Sequence, residues 1–335
     1  MDVGTLLADR FEIERRVAAG GLSSVYRATD RLTGQPVAVK VLHGDDTGEH
    51  ADRFRREARI LEELRYPGVV RHVAHGDLEA GDGRGYIAME WLEGETVSKR
   101  LSATGLTMTE SVLLAAKVAE TLAFTHARGI LHRDIKPANL LLVGGEIDRV
   151  KLIDFGIARP LSGTEITGAG VLLGTLGYMA PEQARGSSAL DGRCDIFALG
   201  SVLYKCLTGI PPFAGEDAIG ILAKMLFEKP PDLRDTRKDV PPALADLVSR
   251  MLARDPAGRP ADALERLRPY LDESNPRMFL SAATAAIPAY ALEGRAAEAF
   301  ALIDRASETW QRIGDQLALF DPGMLLVCGA LVVIA

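Results

Sequence analysis

Two short polar segments constrain this 335-residue chain more than anything else in it. The first is His132-Arg-Asp-Ile-Lys-Pro-Ala-Asn139; the second, Asp154-Phe-Gly156, begins 15 residues after Asn139. Apolar, strand-like runs lie near Leu140–Val143 and Val150–Ile153. An aspartate at a strand end suits a hard cation, which prefers carboxylate and phosphate oxygens. A third segment, Val37-Ala-Val-Lys40, sets an ammonium inside an apolar strand. Burying that charge unpaired is costly, so Lys40 requires a carboxylate. Glu57 is the best partner, because it shares the Phe54/Leu61 side of the following helical stretch, whereas Glu62 and Glu63 flank Leu61 and Leu64 differently.

The texture of the chain divides around residues 90–94. Phe11, Ile13 and Val17 sit at alternate positions, and Val25-Tyr26 and Val37–Val39 continue with β-branched and aromatic residues around a Thr33-Gly34 turn. One helix is expected over Glu49–Arg65, then strands near Val69–Val73 and Tyr86–Trp91. After Gly94 helical patterns dominate. Thr107-Met-Thr-Glu110 reads as a capping box opening a helix to Arg128, with Gly129 behind it. Further helices are expected over 194–207, 217–227, 241–253 and 261–271. A small β-rich lobe followed by a larger helical lobe is an α+β arrangement, with a ligand cleft at the junction.

Composition narrows the field. Hydrophobic residues at 47% fill a large core and exclude a disordered or fibrous chain, and the net charge of −7 argues against a general nucleic-acid binder. Three cysteines, widely spaced and odd in number, predict a reducing compartment with neither a disulfide framework nor a zinc site. Met1–Arg16 lacks the apolar run of a secretory leader.

The segment 132–139 resembles the catalytic loop of protein kinases, H-R-D-x-K-x-x-N, at every defining position. With Asp154-Phe-Gly156, Val37–Lys40 and the segment end Gly174-Thr-Leu-Gly-Tyr-Met-Ala-Pro-Glu182, the chain resembles bacterial eukaryotic-like Ser/Thr protein kinases over about residues 7–271. The resemblance implies a bilobal kinase-like fold, with an N-lobe of about 7–90, a hinge of about 90–94 and a C-lobe of about 95–271. It implies ATP with Mg²⁺, or Mn²⁺, as the nucleotide and metal, and Ser or Thr of proteins as the acceptor. Asp134 would accept or orient the proton of the attacking hydroxyl, Lys136 would offset charge on the transferred phosphoryl, and Asn139 and Asp154 would hold the metal. Lys40 would bind the α- and β-phosphates while paired to Glu57.

The glycine-rich loop departs from the family pattern G-x-G-x-x-G-x-V. Ala18 and Ser23 replace the outer glycines, and Gly20 with Gly21 remains. Glycine matters here because the backbone must come close to phosphate, so a working but looser lid is expected over Val17, Ala18, Ala19, Gly20, Gly21, Leu22, Ser23 and Val25. Ala38 belongs to the same nucleotide pocket. Met89 is the expected gatekeeper, and the backbone of Glu90 and Leu92 the adenine edge. Thr175 would contact Asp134 and Lys136. Glu182 would pair with Arg259, and Asp195 would bond the catalytic-loop backbone. Arg133 beside Asp134 predicts activation by a phosphorylated loop residue, with Thr167 first and Thr164 second. The expected activity is autophosphorylating protein kinase signalling, with homodimers for trans-phosphorylation; the alternative is a pseudokinase scaffold.

Residues 272–283 read as a linker and 284–335 as a short helical region. Tyr290–Ala306 looks like the middle of a tetratricopeptide-type helix pair, and a generic helical hairpin is the alternative. The uncharged run 323–335 would span about 20 Å as a helix, short of a bilayer core of about 30 Å. It reads as a buried repeat helix, as the start of a membrane span or as a terminal segment of another kind. The catalytic domain is expected in the cytoplasm, free or anchored through that segment.

Overall fold

The computed structural model describes residues 1–20, 22–43, 48–78, 85–155, 176–187, 189–215, 217–261 and 267. Alternation governs the first lobe. Along β3 (Ser23–Asp30), Ser24, Tyr26, Ala28 and Asp30 are buried and the intervening residues are half-exposed. Along β4 (Pro36–Leu42), Val37, Val39 and Val41 go inward, which turns Ala38 and Lys40 to the opposite face. With β1 (Leu6–Leu7), β2 (Phe11–Ala19), β5 (His72–Asp77) and β6 (Gly85–Glu90), these form a six-stranded antiparallel sheet in the order β1-β2-β3-β4-β6-β5. The sheet curls around Phe11, Ile13, Tyr26, Val39 and Tyr86. Helix α1 (Glu49–Glu63) lies against β5 and β6 and buries Phe54, Ala58 and Leu61 at spacings of three and four.

Several short elements escape the sequence patterns, and one strand is displaced. β1 has only two residues, and β7 (Gly94–Thr96) runs straight into α2 (Val97–Ala103), capped by the Thr96 hydroxyl. The strand expected at Val69–Val73 begins instead at His72. Val69 and Val70 leave the first lobe: Val69 bridges Leu152, and Val70 N–H donates to Leu152 O at 3.0 Å while Leu152 N–H donates to Gly68 O at 2.7 Å. Their apolar character serves a contact between the lobes.

In the second lobe, α3 (Met108–His126) opens on the Thr107/Glu110 capping box, and Gly129 behind it takes φ 71°. β7, β8 (Leu140–Val143) and β9 (Val150–Leu152) make a small antiparallel sheet. The α-helices that follow are α4 (Pro181–Ala184), α5 (Arg193–Thr208), α6 (Ala218–Phe227), α7 (Leu233–Thr236) and α8 (Pro242–Met251). α5 is buried on every side, the mark of a helix inside a core. It packs on α3 and α8, and a Cβ at Gly200 would meet the Met251 Cβ at 2.8 Å. One continuous apolar core runs from α1 and β6 into this lobe.

Gly21, Thr164, Thr167 and Thr175, the 272–283 linker, the 284–335 region with its apolar run, and the helix expected over 261–271 apart from Ala261 and Leu267 lie outside the described residues. Among the described residues no helix is long and apolar enough to cross a membrane, and Cys194 and Cys206 are buried free thiols.

Candidate active site

Lys40 projects from the cleft face of β4, and its ammonium bonds two carboxylates: Glu57 Oε1 at 2.8 Å and Asp154 Oδ1 at 3.1 Å. Burial opposes the charge, but Asp154 and Glu57 outweigh it and hold the Lys40 pKa above its ordinary value. The Lys40 charge, against burial, holds Asp154 below the usual carboxylate range. Glu57 is pushed up because burial dominates over the pull of Lys40. A helix residue, a strand residue and the residue that follows Ile153 are thereby joined, although Asp154 lies 114 positions from Lys40. The Asp154 side chain stays 43% exposed, open to the cleft.

The loop after α3 assembles a second cluster. Asp134 Oδ2 accepts from Lys136 Nζ at 2.8 Å and Asn139 Nδ2 at 2.9 Å, and Asn139 also donates to the Asp134 carbonyl at 2.8 Å. Pro137 opens a single 3₁₀ turn ending at Asn139, its ring presetting the backbone angle. Arg133 (φ 66°) and Asp154 (φ 54°) both occupy the left-handed region, which costs a non-glycine residue about 1–2 kcal/mol. Such strain persists only where neighbours over-determine the backbone.

Asp195, on the first turn of α5, supplies that constraint on the loop. Its Oδ1 accepts from Arg133 N–H at 2.7 Å, and its Oδ2 from His132 N–H at 2.9 Å and from His126 Nε2 at 2.8 Å. Burial works against the carboxylate, yet these bonds and the two histidines hold its pKa below the ordinary value. Burial pushes the His132 imidazole pKa below its ordinary value, and its ring packs on Phe155 at 4.6 Å between centroids. Gln183 Nε2 donates to the Arg133 carbonyl at 3.0 Å. Nearby, the fully buried Arg259 grips Glu182 with both terminal nitrogens, at 2.6 and 2.9 Å, and donates to the Ala253 and Arg193 carbonyls.

At the junction of the lobes, Met89 is buried opposite Ala38, and Glu90 ends β6. The Glu90 carboxylate ties three elements together, since its Oε1 accepts from Lys151 Nζ at 2.5 Å and from Arg71 N–H at 2.8 Å. Nothing in the sequence patterns singles out Lys151, a polar position in a three-residue strand. His126 and the Gln183 amide also escaped; their partners lie 69 and 50 positions away. Above the junction, β2 and β3 meet in a turn closed by Gly20 N–H to Ser23 O at 2.8 Å, with Ala18 opposite Val25. Val17 and Leu22 are 44% and 47% exposed there, and Val25, Ala38 and Lys40 line the underside.

The protein kinase domain family matches residues 11–269. The serine/threonine-protein kinase PknA of Mycobacterium tuberculosis is 36% identical over 262 residues, covering 77% of this chain and 59% of that relative. PrkC of Bacillus subtilis is 37% identical over 262 residues, covering 77% and 40%. The chain thus spans about half the length of these curated relatives. Among solved structures, the PknI kinase domain of Mycobacterium tuberculosis superposes with a TM-score of 0.63 at 27% identity, over 80% of this chain and 97% of that one. With the same family reached through sequence and through fold across more than three quarters of its length, the chain belongs to the protein kinase family.

Proposed function

We propose that the chain is a protein serine/threonine kinase that transfers the γ-phosphoryl of ATP to protein Ser or Thr hydroxyls, in bacterial signalling. The observation that carries this reading is Lys40 held between Glu57 and Asp154, a charged set that leaves the Asp154 carboxylate partly exposed. Lys40 binds the α- and β-phosphates. Val17 to Ser23 cover the phosphates, while Val25, Ala38, Met89 and the backbone of Glu90 and Leu92 enclose the adenine. Asp134 receives the proton of the acceptor hydroxyl as its oxygen attacks phosphorus. The bond to the β–γ bridging oxygen breaks and ADP departs. Lys136 stands beside the charge that spreads over the transferred group.

Among the described residues no three His, Cys, Asp or Glu side chains are grouped to hold an ion unaided. The cleft-facing Asp154 and the side-chain amide oxygen of Asn139 are hard oxygen donors that suit Mg²⁺, with Mn²⁺ as the alternative, once phosphate oxygens complete the shell. That ion neutralises phosphate charge when bound. We assign the kinase domain to 7–271, the linker to 272–283 and a helical appendage to 284–335. We also assign Thr167, then Thr164, as the activating phosphosites, and Thr175 as a residue that contacts Asp134 and Lys136 near the acceptor hydroxyl. Trans-phosphorylation proceeds in a homodimer, and the domain works in the cytoplasm.

The test is incorporation from γ-labelled ATP with Mg²⁺, followed by acid hydrolysis. The wild type is expected to give labelled phosphoserine or phosphothreonine, and Asp134→Asn about 10²–10⁴-fold less. Equal, near-zero incorporation in both proteins with nucleotide still bound would identify a pseudokinase scaffold.

A further inference from the structure

One cross-strand row of the six-stranded sheet runs Arg15, Arg27, Ala38, Met89. Like charges directly opposite each other destabilise a sheet, so the Arg15–Arg27 pair needs a reason. Trp91, the residue after β6, supplies one. The Arg15 and Arg27 guanidinium carbons lie 5.6 and 5.4 Å from its ring centroid, within reach of a cation–π attraction. The indole is itself held, its Nε1 donating to Glu93 Oε1 at 2.6 Å. Arg27 is anchored on its other side by Glu14, whose second oxygen accepts from the Thr29 hydroxyl at 2.6 Å. The register of β2 against β3 slips between Ile13 and Arg15 and again between Arg16 and Ala18. Such irregularities bend a strand and re-aim its side chains.

Position in the row gives the contact a consequence. Arg27 lies two residues from Val25, on the same face, and is the direct neighbour of Ala38. On this reading Val25 and Ala38, on one face of the sheet, form the roof of the slot, and the Glu90–Leu92 backbone forms its edge at the hinge. Drawing Arg27 onto Trp91 therefore draws that roof toward the hinge. We propose that Trp91, Arg15 and Arg27 form a clasp that sets the height of the adenine slot, with Trp91 as a positioning residue for the nucleotide. The proposal rests on the reading of this slot as the adenine site. It also gives the strands a second restraint, at mid-strand and apart from the loop where Ala18 and Ser23 stand in place of glycines.

The experiment measures the dissociation constant of mant-ADP with Mg²⁺, and KM and kcat for ATP, in the wild type, Trp91→Ala, Trp91→Phe and Arg27→Met. Trp91→Ala is expected to weaken mant-ADP binding roughly three- to tenfold, with the loss in KM exceeding that in kcat. Trp91→Phe, which keeps a ring facing the arginines, should recover most of it. Arg27→Met retains the strand and most of the stem and should shift binding in the same direction by less; it serves if Trp91→Ala does not fold. Unchanged binding in Trp91→Ala or Arg27→Met, or equal losses in Trp91→Ala and Trp91→Phe, would overturn the clasp. A wild type that does not bind mant-ADP at all sinks the nucleotide reading itself; a binding wild type with indifferent variants sinks only the clasp.

Discussion

Asp195→Asn isolates the support under the catalytic loop. The carboxylate accepts three bonds, two from backbone N–H groups of His132 and Arg133 and one from His126. An asparagine keeps one acceptor oxygen and turns an NH₂ group toward donors that are already N–H. A hydrogen bond to a charged acceptor is worth about 1.5–3 kcal/mol, and a buried donor left unpaired costs about 1–3 kcal/mol. Retention of the bonds on one oxygen and loss of those on the other places the cost at roughly 3 kcal/mol, with about 2–4 °C of melting temperature lost per kcal/mol in a domain of this size. The expected outcome is a melting temperature lower by roughly 6–12 °C, with Arg133 released from its left-handed backbone. Phosphoryl transfer should fall further than stability alone dictates, because Asp134 follows Arg133 directly. Thermal melting by circular dichroism, with transfer measured well below the transition, separates the two effects. A variant that melts within about 2 °C of the wild type and transfers phosphate at its rate would refute the reasoning.

Two further predictions concern stability. Asp30, bonded to Arg10 by two contacts of 2.8 Å and to Leu32 N–H, has its pKa lowered from 3.8 to about 2 by the Arg10 bond, against burial. Its folded value lies below its unfolded one, so the stabilisation of about 2 kcal/mol is complete above pH 4 and fades as pH falls toward 2. Asp30→Asn should lower the urea midpoint at pH 7, and the gap to wild type should be about half as large at pH 3; a gap independent of pH would exclude the mechanism. Gly68→Ala would bring a Cβ to 2.0 Å from Thr121 Oγ1. The change should cost about 1–3 kcal/mol and be largely relieved by Thr121→Ala, measured as a double-mutant cycle on denaturation midpoints; strict additivity would count against a direct clash.

What the sequence displays and what it hides follow from range. Alternation in β3 and β4 and the three-to-four spacing of α1 are local consequences of burying one face, so they can be read from neighbours. The pairing of Lys40 with Glu57 follows from the cost of a lone buried ammonium. Val69 and Val70 misled because an apolar pair carries no label for which lobe it touches; their partner, Leu152, comes from a distant strand. Gly94–Thr96 and α2 are too short for periodicity to reveal. The same holds for side chains whose partners lie far along the chain. Glu90 was legible as a hinge position, but the bond of its carboxylate to Lys151, 61 positions away, was not. Trp91 between two arginines could be found only once the strands were in register.

The central claim is that Lys40 and Asp134 do different things in one working cleft. Measuring ADP binding and ATP turnover side by side, in the wild type, Lys40→Met and Asp134→Asn, tests it most directly. The account predicts that both variants lose turnover by about 10²-fold or more, while only Lys40→Met loses affinity for ADP. A wild type that binds ADP but turns over no faster than either variant would contradict it.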